Sequence, residues 1–129
     1  MLLDTHIVLW MLSDDPKLGP AARSAISDEL DILVSTACLW EMAIKQSSGK
    51  LTLPEDVISR VESAGARWLD ISPNHAWGVG KIEGLAHSDP FDRLLIAAAA
   101  SENMTLMTAD RKLLDYIGTP EIRLLDARL

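Results

Sequence analysis

Short apolar runs, each broken off by polar residues and followed by helix-forming sequence, constrain this chain more than any other feature. Residues 1–3 stop at Asp4, and residues 31–35, 67–71, 104–108 and 122–125 follow the same plan. Runs of three to five residues are too short for helices and read as buried strands. Between them lie helical stretches. Residues 7–12 end at a Ser-Asp-Asp-Pro breaker, and a second helix opens at Pro20. A third spans 37–48, capped by Thr36 and stopped by Gly49, and a fourth opens at Pro54 and runs to 64. Residues 73–85 are helical but interrupted by Gly78 and Gly80. Asp89 caps a helix with Pro90 at its first position, and Asp110 caps a short one over 111–116. Strands alternating with helices predict an α/β sandwich around a mainly parallel sheet, with right-handed crossovers putting helices on both faces. At 129 residues the chain is expected to form a single domain, 1–129.

In open parallel sheets, ligands bind beyond the carboxyl ends of the strands. Asp4 directly follows the first strand, and Asp110 lies two residues past the fourth. Asp89 and Asp92 share the first turn of a helix whose following stretch, 94–100, is apolar all round. Glu41 interrupts a largely apolar helix. Like charges ~4 Å apart repel by about 4 kcal/mol at an effective dielectric of 20, so acids from distant segments converge only around a cation. Carboxylates without thiolates select a hard ion, Mg²⁺ or Mn²⁺. Such a site can activate water for in-line attack on a phosphodiester.

Each acid also has a plainer explanation. Asp89 is a sufficient N-cap, Asp92 stands where a capping box would close, Asp110 can be only a cap, and Glu41 can pair with Lys45 four residues on. Asp4 has the fewest alternatives, because a lone acid ending a buried strand costs stability unless paired. His6, His75 and His87 match no zinc spacing, and Ser35 and Cys38 have no adjacent base to make them nucleophiles. Trp10, Trp40, Trp68 and Trp77 read as core or interface, with Trp10 and Trp40 as candidates for an apolar groove.

Nineteen acids against 12 bases give a net charge of −7, which argues against a simple nucleic-acid binder relying on excess Lys and Arg. A single cysteine excludes an internal disulfide framework. No apolar run reaches the roughly 20 residues of a membrane span, and no basic stretch precedes the first apolar run. A cytoplasmic protein without membrane association is therefore expected.

Four strings occur in order: LLDTH at 2–6, STACLWEMAIK at 35–45, HSDPFDRLLIAAAA at 87–100 and LMTAD at 106–110. Together they resemble the PIN-domain ribonucleases, and within them the VapC-type toxins of toxin–antitoxin modules. The resemblance runs from the first strand to the last. It implies a three-layer α/β/α sandwich with a four- to five-stranded, mainly parallel sheet. It maps an acidic quartet onto Asp4, Glu41, Asp92 and Asp110 as catalytic and metal-binding residues, with Asp89, Thr5, Thr108 and Arg93 in supporting places. The implied activity is an Mg²⁺- or Mn²⁺-dependent endoribonuclease toxin that cleaves RNA by metal-activated water. The implied partners are a second copy of the chain in a homodimer and a cognate antitoxin, with operator DNA reached only through the antitoxin. Two other readings compete. One is a non-catalytic acidic interaction module. The other is a haloacid-dehalogenase-like phosphoryl-transfer enzyme with Asp4 as nucleophile, although His6 stands where that motif wants a second Asp.

Overall fold

The computed structural model describes residues 1–85, 89–116, 118 and 121–129. Its elements in chain order are β1 (Leu2–Leu3), α1 (Thr5–Ser13), α2 (Pro20–Asp28), β2 (Ile32–Ser35), α3 (Thr36–Ser47), α4 (Val57–Ser63), β3 (Ala66–Leu69), α5 (Pro73–Gly78), a 3-10 turn (Val79–Lys81), α6 (Pro90–Ser101), β4 (Thr105–Thr108), α7 (Arg111–Leu114) and β5 (Arg123–Asp126). The five strands lie in the order β3-β2-β1-β4-β5, and every pairing is parallel. Right-handed crossovers in that order put α1–α4 on one face and α5–α7 on the other. The expected α/β sandwich is therefore present, with a sheet that is wholly parallel.

The sheet forms from the centre outwards. Leu2 of β1 faces Leu33 on one side and Leu106 on the other, and Leu3 faces Met107. Leu2, Leu3, Val34, Leu106 and Met107 are fully buried, as expected of strands covered on both faces. Leu95, Ile96 and the run Ala97, Ala98, Ala99 are buried too, so α6 is the apolar helix its sequence announces. No helix among the described residues is long and apolar enough to cross a membrane.

Several boundaries differ from the sequence reading for identifiable reasons. Ser35, and not Thr36, caps α3: its hydroxyl accepts from Ala37 N at 3.1 Å, worth about 1 kcal/mol. Thr36 Oγ1 instead accepts the Ile71 N–H at 3.2 Å. Gly49 adopts φ +76° just past α3, as its role as a stop requires. Pro54 does not open α4, which begins at Val57. The helix foreseen over 73–85 ends at Gly78 and passes into the 3-10 turn. The first helix starts earlier than expected, at Thr5, because Asp4 caps it.

Candidate active site

The site forms where β1, β2 and β4 run out. Asp4 Oδ1 accepts the Thr5 N–H at 2.7 Å and so caps α1, while its own N–H is held by Met107 O at 3.0 Å. Its other oxygen, Oδ2, accepts the Thr108 hydroxyl at 2.7 Å. The lone acid of the sequence is thus paired, with a strand on one side and a helix N-terminus on the other. Burial raises its carboxyl above the usual range, against the lowering effect of the Thr108 and Thr5 hydrogen bonds.

Thr108 Oγ1 also accepts the Asp110 N–H at 3.0 Å, so one hydroxyl joins two of the acids. Asp110 in turn caps α7, accepting from Lys112 N at 2.8 Å. Glu41 comes from α3 and is buried. Its Oε1 accepts the Thr5 hydroxyl at 2.5 Å, and its Oε2 meets Lys45 Nζ at 3.1 Å. Glu41 therefore pairs at i,i+4 and also reaches the residue that follows Asp4.

Asp89 caps α6 through Phe91 N at 2.9 Å. Asp92, three residues on, closes no capping box. Its carboxyl is pushed up to about 7, first by burial and then by the charges of Asp4, Asp110, Asp89 and Glu41. Carboxylates from four separate segments therefore share one field at the end of the sheet.

Arg93 does not face these acids. Its Nη2 donates to Val79 O at 3.0 Å and more weakly to Ile82 O at 3.5 Å, so it pins the 3-10 turn to α6. His87 and Ser88 of the HSDPFDR string lie outside the described residues. Cys38 is buried, with Sγ 3.8 Å from Leu3 O, and burial pushes its thiol up to about 12, which removes it as a nucleophile. His75 is also fully buried, bonded to Ser72 and to Glu102. Reading the sequence gave Lys45 only a structural part. The structure makes it a cation in contact with a site acid, signalled by the i,i+4 spacing and by its place at the end of the STACLWEMAIK string.

The donor set suits a hard divalent ion. It consists of carboxylate and hydroxyl oxygens, and the excess negative charge felt by Asp92 is what a cation would relieve. Among the described residues no group of three or more His, Cys, Asp and Glu side chains stands close enough together to hold a metal ion.

The fold recurs in known proteins. Ribonuclease VapC22 of Mycobacterium tuberculosis is 28% identical over 115 residues, covering 88% of each chain. Three solved assemblies share the fold. The DNA-bound VapBC of Salmonella typhimurium has a TM-score of 0.71 at 22% identity, covering 97% of this chain and 96% of that one. VapBC2 of Rickettsia felis, bound to a fragment of its promoter, has a TM-score of 0.67 at 20% identity, covering 96% of both. A toxin–antitoxin complex from Klebsiella pneumoniae has a TM-score of 0.67 at 17% identity, covering 98% and 96%. The family model of the PIN domain matches residues 1–118, and the chain belongs to the PIN domain family.

Proposed function

We propose that this chain is a metal-dependent endoribonuclease and the toxin of a toxin–antitoxin pair, with residues 1–129 acting as one PIN-like domain. The observation that carries this reading is the pair of hydroxyl links at the strand ends, Thr108 joining Asp4 to the Asp110 turn and Thr5 joining the Asp4 segment to Glu41, with Asp92 in the field of all three acids. Within a PIN domain, such a gathering of acids at the strand ends is a place for a cation and a phosphodiester. The printed activity of the Mycobacterium tuberculosis relative supports RNA as substrate.

Asp4, Glu41, Asp92 and Asp110 would hold Mg²⁺ or Mn²⁺. When bound, the ion supplies Lewis acidity and a lowered pKa for water. The remaining work falls to the chain's own groups. Thr108 orients Asp4 through its hydroxyl and holds the turn that presents Asp110. Thr5 fixes one oxygen of Glu41, and Lys45 balances the other. Asp89 holds the first turn of α6, which sets the direction of Asp92.

The partner proteins follow from the solved neighbours, which are toxin–antitoxin assemblies. A cognate antitoxin with a basic side chain would find a target in the acid cluster, and operator DNA would be reached through that antitoxin. Pairing with a second copy completes the proposal. The deciding experiment is incubation of purified protein with RNA, with Mg²⁺ or Mn²⁺ and with chelator. Cleavage only with metal is expected. Cleavage that survives chelation contradicts the metal dependence, and no cleavage under any condition contradicts the nuclease.

A further inference from the structure

Trp40 is 57% exposed, unusual for an indole beside a buried acid. Its ring meets Phe91 edge to face, with centroids 5.2 Å apart and planes inclined at 69°. That contact uses the face of only one ring, so the pair is braced while other aromatic faces stay open. The two rings come from opposite layers, Trp40 from α3 and Phe91 from the first turn of α6. Each immediately precedes a site acid: Trp40 stands before Glu41, and Phe91 before Asp92.

Helical geometry arranges the rest of the α3 surface. At 100° per residue, Ile44 lies about 40° from Trp40, Glu41 about 100° and Lys45 about 140°. The site carboxylate is therefore flanked by an aromatic on one side and an ammonium on the other, the Lys45–Glu41 contact being 3.1 Å.

We infer that Trp40, braced by Phe91, is a stacking platform that holds one unpaired nucleobase of the substrate beside the acid cluster. This deepens the nuclease reading and rests on it. A chain of net charge −7 gains little from diffuse attraction to phosphates and needs another way to hold a strand. Stacking provides it, because every base has a π-face that an aromatic ring can cover. A base within a duplex has both faces covered, so the platform excludes paired RNA. Lys45, on the other side of Glu41, is positioned for a neighbouring phosphate.

The test is the fluorescence anisotropy of a labelled single-stranded 12-nucleotide RNA and of the same sequence as a duplex, in chelator so that nothing is cut. The wild type is expected to bind the single strand more tightly than the duplex. Trp40→Ala is expected to weaken single-strand binding by about 10- to 100-fold, and Trp40→Phe is expected to restore much of it. Wild type that binds the strand no better than the duplex, or Trp40→Ala that binds it like wild type, overturns the platform. A thermal melt checks that the variant is folded, as expected for an exposed site, and Phe91→Leu, which removes only the brace, should weaken binding less. Size-exclusion chromatography covers the remaining case: if Trp40→Ala halves the apparent mass, the indole is buried between two copies and the platform is overturned. A wild type that cleaves RNA without strand preference sinks the platform alone. One that binds single strands through Trp40 but cleaves nothing sinks the nuclease alone.

Discussion

The Thr108 hydroxyl donates to Asp4 Oδ2 at 2.7 Å, although 104 residues separate the two in sequence. Thr108 Oγ1 also accepts the Asp110 N–H, so Thr108 links the ends of β1 and β4 and sets two acids relative to each other. Parallel pairing of Leu3 with Met107 puts these strand ends side by side, and the hydroxyl converts that register into a site.

Thr108→Val tests this link with little change of shape. It leaves the buried Asp4 carboxylate and the Asp110 N–H each one partner short, which costs about 1–3 kcal/mol of stability. Losing a hydrogen bond to the charged form also pushes the Asp4 carboxyl further up, so Mn²⁺ affinity at neutral pH should fall. Urea denaturation and titration calorimetry check the two effects, and Thr108→Ser should recover both.

The apo protein should lose stability as pH rises from about 4 to about 7. Asp92 titrates near 7 in the folded chain, well above its ordinary 3.8, so over that window the folded state keeps a proton that the unfolded state has released. The raised Asp4 carboxyl acts in the same direction. Thermal melts in chelator across this range should show the decline, and Asp92→Asn should flatten it. Mn²⁺ affinity should move the opposite way, strengthening as pH rises, because binding must displace the proton.

His75 provides a contrast. Its Nδ1 accepts the Ser72 N–H at 3.2 Å and its Nε2 lies 2.8 Å from Glu102 Oε1, just past the C-terminal end of α6. Asp92 is ten residues away along that helix, about 15 Å at 1.5 Å per residue. His75→Ala should cost about 2–3 kcal/mol in urea denaturation, through a lost cap and an unpaired buried group, and leave kcat on RNA unchanged.

Most of the fold was legible because its signals are local. Short apolar runs, Pro at helix starts and Asp caps each act within a few residues, and β1, β2, β4 and α6 fall where those signals put them. Boundaries failed where a partner distant in sequence decided them. Thr36 looks like a cap until Ile71 claims its hydroxyl, and Arg93 looks like a site cation until the Val79 carbonyl claims its guanidinium. Asp4 and Asp110 could be named from the strand ends, Asp89, Asp92 and Glu41 from their places on helices, and the quartet as a set from the family strings. Their coupling could not, because nothing in the sequence says that Thr5 reaches Glu41 or that Thr108 reaches Asp4. The sequence leaves Trp40 open between core and an apolar groove, and its exposure settles against the core.

The account stands or falls on Asp4 as part of a metal-binding centre that hydrolyses RNA. Its most direct test is the single-turnover rate of RNA cleavage against Mn²⁺ concentration, for wild type and Asp4→Asn. Wild type should show a saturable rise from a rate near zero. Asp4→Asn should remain folded, because it removes a carboxylate that burial already disfavours, and should be slower by at least about 100-fold at saturating metal, the equivalent of several kcal/mol of transition-state stabilisation. A folded Asp4→Asn that cleaves RNA with the wild-type metal dependence would contradict the account.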